Sequence, residues 1–290
     1  MKIKGTTKLL GVIGDPVEHS LSPVMHNAAI NYLNLDYVYL AFPVKPAALK
    51  TVLEGFEAIN LVGFNITIPH KQAIMPLLTE ISPTAELVGA VNTVWRTEKG
   101  WKGTNTDVEG FIAPLKPLNR DWSQIVPVIL GNGGAARAVV VGCHQLGCRE
   151  IKIVGRNQQK LVQFQQSWQN SPLEGQINIH TWEKLSQLLP TTELLVNTTP
   201  VGMYPHVDKS PLEASLITKL ANQAIAYDLI YTPNPTKFLK LGSQQGATTI
   251  DGLEMLVQQG AAALQIWLQQ SVPVNIMGQS LTDIWHQVGK

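Results

Sequence analysis

A chain of 290 residues, 44% of them hydrophobic and 15% charged, is long for one core and comfortable for two domains. Its 22 Lys and Arg nearly balance 21 Asp and Glu, and the resulting net charge of +1 is spread without a basic run, which argues against a nucleic-acid partner. The apolar piece Leu9–Gly14 is far too short for a signal-peptide core or a membrane span, and no later stretch reaches spanning length, so the chain reads as soluble and cytoplasmic. Cys143 and Cys148 lie five apart, on different faces of a helix, and read as small buried side chains rather than a disulfide or metal pair. The seven histidines are scattered, and no metal is expected.

Strand-like and helical runs alternate from the start. Leu9–Ile13 is an apolar strand closed by the turn Gly14-Asp15-Pro16. Ser22-Pro23 reads as an N-cap followed by proline at the first helical position, opening a helix to about Leu33. Tyr37–Val44 is a strand, and Pro46–Ile59 a helix with apolar spacing at Leu49, Val52, Leu53 and Phe56. Val62–Ile68 is a strand, His70–Leu78 a helix and Ser82–Val88 a short helix. A hairpin around Glu98-Lys99-Gly100 joins Ala90–Arg96 to Gly100–Gly103, and Asp107–Leu115 is helical.

A second series follows the Pro-containing polar stretch Pro114–Trp122, the clearest linker. The strand Ile125–Leu130 ends in a glycine-rich turn before the helix Ala135–Leu146. Ile151–Val154 is a strand and Gln158–Gln169 a helix with a solvated glutamine face. Short strands at Leu194–Asn197, Ala224–Leu229 and Thr248–Ile250 precede a long helix, Leu253–Gln269, and a final one, Leu281–Val288. Such alternation predicts an α/β protein of two domains, each built on a mainly parallel sheet covered by helices. The first domain spans residues 1–108 and the second, Rossmann-like, 109–252.

The turn Gly131-Asn132-Gly133-Gly134-Ala135-Ala136 fits G-x-G-x-x-A, between a strand and a helix. The first glycine permits the tight turn, the second lets backbone approach a pyrophosphate, and the small Ala136 lets helix and strand pack closely. Phosphates would meet free N–H groups at the positive end of the helix. At the end of the next strand, where an NAD enzyme carries Asp or Glu, this chain has Gly155-Arg156-Asn157 and then Lys160. A guanidinium can fork onto a 2′-phosphate, so Arg156 points to NADP(H).

Four polar clusters in the first domain lie where strands end: Ser20-Leu21-Ser22-Pro23, Asn65 to Lys71, Ala90-Val91-Asn92-Thr93 and Gly103 to Asp107. Ligands of open α/β sheets sit beyond those strand ends. Hydroxyls, carboxamides, one Lys and one Asp together suit a small polyhydroxylated acid. Singly, each has a plain structural explanation: Ser22 or Asp107 as a helix cap, Asn65 and Asn92 as turn residues, Lys71 as a surface lysine.

Taken together and in order, these clusters resemble the signatures of the shikimate dehydrogenase family: S-x-S-P, N-x-T-x-P-x-K, A-V-N-T and G-x-N-T-D-x-x-G. Further matches are Asn197-Thr198-Thr199-Pro200, Tyr227-Asp228-Leu229-Ile230-Tyr231 and Asp251-Gly252 with Met255 to Gln259, so the resemblance runs from about Gly11 to Trp267. It implies reversible reduction of 3-dehydroshikimate to shikimate by NADPH, with Lys71 and Asp107 as the acid–base pair. Ser20 and Ser22 would hold the substrate carboxylate, with help from Tyr231. Asn65, Thr67, Asn92, Asp107 and Gln259 would contact the hydroxyl side. The loop of Gly131, Asn132, Gly133, Gly134, Ala135 and Ala136 would bind the pyrophosphate, Arg156 and Lys160 the 2′-phosphate, with Asn157 beside them. Thr199, Leu229, Tyr231 and Gly252 would lie near the ribose or nicotinamide. The resemblance also implies that the C-terminal helices, from about 253 to 290, join the first domain, and it leaves a homodimer open. The family often has Asn-Arg-Thr and a later Arg where this chain has Gly155-Arg156-Asn157 and Lys160, and a lysine lacks the arginine fork. A quinate/shikimate dehydrogenase that also uses NAD is the alternative enzyme. A non-catalytic sensor is disfavoured because both Lys71 and Asp107 are present.

Overall fold

The computed structural model describes the backbone of residues 2–288 and the side chains of residues 2–283. The chain divides into two units, residues 1–110 with 257–290, and residues 111–256.

In the first unit the elements run β1 (Lys8–Gly14), α1 (Ser22–Tyr32), β2 (Tyr37–Pro43), α2 (Leu49–Ala58), β3 (Gly63–Ile66), α3 (His70–Ala73), β4 (Glu80–Ile81), α4 (Pro83–Val88), β5 (Thr93–Thr97) and β6 (Gly100–Thr104). The strands form one sheet in the order β2-β1-β3-β5-β6-β4, and only β5 runs against the others. The central β1 reads as an apolar run because it is paired on both sides and buried from Leu10 onward. An edge-to-tilted chain of rings, Phe42–Phe56–Phe64–Trp101, fills the core on one side with centroids 5.3, 5.3 and 5.5 Å apart.

The next helix, α5 (Asp107–Ile112), leads into the second unit. There follow β7 (Val128–Leu130), α6 (Gly134–Leu146), β8 (Ile151–Gly155), α7 (Gln158–Gln166), β9 (Ile177–Thr181), α8 (Leu185–Leu188), β10 (Leu194–Asn197), α9 (Ala214–Ile217), β11 (Ile225–Asp228), α10 (Lys237–Gln244) and β12 (Thr248–Ile250). Their sheet is wholly parallel, in the order β12-β11-β10-β7-β8-β9. That is the Rossmann order, and it reverses between β7 and β10, the switch point where such sheets take ligands.

Two last helices, α11 (Gly252–Leu268) and α12 (Val274–Val288), carry the chain back into the first unit at Val257. The docking of α11 depends on Gly63: a Cβ there would lie 2.2 Å from Trp267 Nε1, which donates to the Val94 carbonyl at 3.0 Å. α12 packs on α1, with Met277 and Leu281 fully buried.

Several boundaries differ from the sequence expectation. Ser22 is not the N-cap of α1: Leu21 holds that position in helical conformation, and no side chain caps the helix. The helix expected over His70–Leu78 stops at Ala73 and resumes as a 3-10 turn, Met75–Leu77, because Pro76 has no N–H to continue the ladder. The final helix starts at Val274, not Leu281; Gly278 weakens the local signal, and packing on α1 overrides it. Strands β4 and β9 escaped the sequence reading because both are sheet edges with little continuous burial. Helix α10 follows two prolines and is capped by Thr236, whose side chain accepts the Leu239 N–H at 3.3 Å. Among the described residues no helix is long and apolar enough to cross a membrane.

Candidate active site

In the first unit the chain leaving β3 turns sharply, with the Thr67 N–H donating to Ile13 O and the His70 N–H to Thr67 O, both at 3.0 Å. Buried His70 donates through Nε2 to the Val44 carbonyl at 2.7 Å, a carbonyl being able only to accept. The Lys71 carbonyl accepts the Val91 N–H at 2.8 Å. Lys71 is therefore a lysine anchored from two sides, not a loose surface residue. On the other strand end, the Asn105 side chain accepts the Asp107 N–H at 3.0 Å and donates to Ala90 O at 2.9 Å. Asn105 thus takes the first N–H of the helix that begins at Asp107.

The two groups meet: Lys71 Nζ donates to Asp107 Oδ2 at 2.6 Å. Asn92 Nδ2 donates to Asp107 Oδ1 at 2.8 Å and to Gln259 Oε1 at 3.4 Å. The Asn92 amide cannot flip, since its Oδ1 already accepts from Thr106 N at 2.8 Å, Thr93 Oγ1 at 2.9 Å and Thr106 Oγ1 at 3.2 Å. Asn92 is thus a buried structural node rather than a turn residue. With side-chain exposures of 34% for Lys71 and 18% for Asp107, the pair can be reached by a ligand, and the ammonium has two donors left after Asp107 takes one.

A second chain of hydrogen bonds joins the remaining residues. Asn65 Nδ2 donates to Asn92 O at 3.1 Å and Thr93 Oγ1 at 3.0 Å, while its Oδ1 accepts the Tyr39 hydroxyl at 2.8 Å. The Ser22 side chain reaches the same hydroxyl, and the Ser22 N–H donates to Ser20 Oγ at 3.3 Å. Tyr39, absent from the sequence-based set, is the link between the serines and Asn65. Burial raises its pKa well above the usual phenol range, so it stays a neutral donor. Its backbone is fixed by the Asn27 amide at 2.8 and 2.9 Å, and its ring stacks on buried His26 at 4.1 Å. Strand alternation alone would place Tyr39 in the core and carries no hint of the hydroxyl's partners. Thr67 sits beside Gly14, where a Cβ would lie 2.4 Å from its methyl.

The dinucleotide residues and Tyr231 belong to the second unit. Gly131 has φ +105°, a conformation that favours glycine, and an added Cβ would lie 2.7 Å from Thr198 Oγ1. Gly133 and Gly134 are exposed, with open space where a side chain would stand. No side chain caps α6, and Ala136 is fully buried behind the turn. An exposed, uncapped helix start with room for close approach fits a pyrophosphate. Arg156 and Lys160 are exposed and form no ion pair among the described residues, while Asn157 Oδ1 caps α7 through the Lys160 N–H at 2.9 Å. Gly155 is buried, and a Cβ there would lie 2.9 Å from Leu161 Cδ2, so the missing asparagine goes with a close strand–helix contact. Thr199 and Leu229 flank the ends of β10 and β11, Gly252 presses on Leu229 O, and burial raises the pKa of Tyr231.

Residues 12–94 match the model of the shikimate dehydrogenase substrate binding domain, and residues 252–281 that of the shikimate 5′-dehydrogenase C-terminal domain. The chain is 67% identical over 281 residues to a shikimate dehydrogenase (NADP(+)) of Gloeothece citriformis, covering 97% of this chain and 98% of the relative. Among solved structures, shikimate 5-dehydrogenase from Listeria monocytogenes in complex with shikimate and NAD superposes with a TM-score of 0.89 at 36% identity, covering 97% and 98% of the two chains. The Thermus thermophilus enzyme in complex with NADP(H) and shikimate gives 0.83 at 33% identity, covering 94% and 98%. With relatives this similar over nearly its whole length, the chain belongs to the shikimate dehydrogenase family.

Proposed function

We propose that the chain catalyses the reversible NADPH-dependent reduction of 3-dehydroshikimate to shikimate, a small-molecule reaction suited to a cytoplasmic enzyme. The observation that carries it is the 2.6 Å contact of Lys71 Nζ with Asp107 Oδ2, steadied by Asn92, in a member of this family. NADPH, when bound, supplies the hydride to the ketone carbon. The ketone oxygen gains negative charge as that happens, and a free Lys71 N–H is available to stabilise it and pass a proton. Asp107 orients the ammonium and can accept from the neighbouring substrate hydroxyl. Asn65, Thr67, Asn92 and Gln259 supply carboxamide and hydroxyl partners for the ring hydroxyls, and Ser20 and Ser22, with Tyr231, bind the carboxylate. The Gly131–Ala136 turn and the α6 start bind the pyrophosphate. Arg156, with Lys160, grips the 2′-phosphate, while Asn157, Thr199, Leu229 and Gly252 contact the rest of the dinucleotide.

Turnover with shikimate and with quinate, each with NADP+ and with NAD+, tests the reading. Shikimate with NADP+ should be the best pair by a wide margin; strong quinate oxidation with NAD+ would replace it by the broader quinate/shikimate activity.

Arg156→Ala should raise KM for NADPH by about tenfold to a hundredfold, the loss expected for charge-assisted hydrogen bonds, while KM for NADH moves little. Equal effects on both cofactors would remove Arg156 from phosphate recognition. Tyr39→Phe leaves the Asn65 Oδ1 without its donor and should cost about 1–3 kcal/mol of stability. It should also raise KM for shikimate and leave KM for NADPH unchanged; steady-state kinetics and thermal melts check both.

A further inference from the structure

Beyond the residues that touch ligand, we infer that the Asp228 carboxylate is a positioning group. It holds the two strand-end segments carrying Thr199 and Leu229–Tyr231 in the shape that receives the nicotinamide half of NADP(H). The inference rests on the cofactor reading given above and adds to it a residue assigned no contact there.

Asp228 is the last residue of β11 and is fully buried. Its Oδ1 accepts from Asn197 Nδ2 at 2.9 Å and from the Ile230 N–H at 3.1 Å; its Oδ2 accepts from Thr236 Oγ1 at 2.6 Å. No cation pairs with it among the described residues. Burial pushes its pKa up to about 6, against those three donors, so the carboxylate is a costly group to keep there. What it supplies is geometry.

Because a carboxylate only accepts, Asn197 must turn its Nδ2 towards it. The other end of that buried amide then faces Thr199, and Asn197 Oδ1 accepts both the Thr199 N–H at 3.0 Å and its hydroxyl at 2.7 Å. A flipped amide would set two donors against Thr199. The orientation of Thr199 is therefore dictated from Asp228, through Asn197. On the other side, the Leu229 N–H donates to Asn197 O at 3.1 Å, the Ile230 N–H to Asp228, and the Gly252 N–H to Ile230 O at 3.2 Å. Gly252 can sit there only without a side chain, since a Cβ would lie 2.2 Å from Leu229 O. One buried group thereby ties together Thr199, Leu229 and Gly252.

The test uses the full chain, with NADP+ and adenosine 2′,5′-bisphosphate as ligands in calorimetric titrations. The bisphosphate carries the 2′-phosphate end and lacks the nicotinamide. Asp228→Ala should weaken NADP+ by about tenfold or more, the effect of misplacing one or two hydrogen-bonding groups, and leave the bisphosphate within about twofold of wild type. Asp228→Asn, whose carboxamide oxygen can still accept from Asn197 and Ile230, should recover NADP+ affinity to within about threefold. Unchanged NADP+ binding in Asp228→Ala would overturn the inference, as would equal weakening of both ligands. If Asp228→Ala does not fold, Asn197→Ala, which cuts the path between Asp228 and Thr199 at a residue assigned no ligand contact, should show the selective loss, and wild-type NADP+ affinity in that variant overturns the inference. Failure of the underlying cofactor reading is separately visible, as wild-type protein that does not bind the bisphosphate, and it removes the inference with it.

Discussion

Lys71→Ala is expected to lower kcat for shikimate oxidation by roughly a hundredfold or more, the usual contribution of a positioned acid–base group. The loss should appear in kcat more than in KM for either substrate, because the lysine acts on charge that develops at the ketone oxygen during hydride transfer. Folding should survive: Lys71 is one-third exposed, its backbone anchors do not involve the ammonium, and Asp107 keeps its bond from Asn92. Asp107→Asn should be nearly as damaging, since the amide can orient the lysine only weakly and cannot take a proton from the neighbouring hydroxyl. Titrating each variant with NADP+ separates chemistry from binding. Cofactor affinity should match wild type in both, and a Lys71→Ala enzyme with wild-type turnover would remove the residue from the mechanism.

The second large effect is an acid sensitivity seated at His26. Its imidazole is fully buried, stacked on Tyr39 with Trp267 5.7 Å away, and burial depresses its pKa from 6.5 to about 3. The folded chain therefore holds His26 neutral at pH values where the unfolded chain protonates it. Its contribution is complete above about pH 6.5 and is lost as pH falls towards 3. At 1.36 kcal/mol per pH unit, the loss at pH 4.5 is on the order of 3 kcal/mol. Asp228 works in the opposite sense. Its pKa is raised from 3.8 to about 6, so its burial penalty is present above pH 6 and is relieved as pH falls towards 3.8. The two partly cancel in the wild-type curve, and the informative comparison is between variants. His26→Phe, which keeps a flat ring on Tyr39, should lose less stability between pH 7.5 and 4.5 than wild type. The difference in melting-temperature shift should be roughly 5–10 °C. Equal acid shifts in the two proteins would mean that His26 does not carry the effect.

Legibility in the sequence followed the range of each interaction. The glycine turn was readable because its logic is local: strand, positive-φ glycine, small residues, helix start, all within one run. The position of Arg156 is local in the same way, just past β8. Lys71 and Asp107 stand 36 residues apart, and no spacing rule brings them together; the ordered motifs pointed to them as a pair, and the fold puts them 2.6 Å apart. Tyr39 and Asp228 were out of reach. One looks like a core aromatic and the other like a strand-end acid, and what distinguishes each is a set of buried partners on neighbouring strands. Ser22 shows the reverse error: serine before proline is a sound capping signal, yet the helix starts one residue earlier.

The packing of Trp267 into the space left by Gly63 has a consequence for biosynthesis. A ribosome finishes residues 111–256 as an uninterrupted stretch, whereas the unit begun at the N-terminus waits for α11 and α12 before its sheet is covered. The stretch 111–256 can thus acquire its final form first, and the unit begun earlier stays open until residues 257–290 have been made. A stop codon shortly before Val257 would spare the dinucleotide fold and leave the Lys71–Asp107 side of the enzyme without its C-terminal cover.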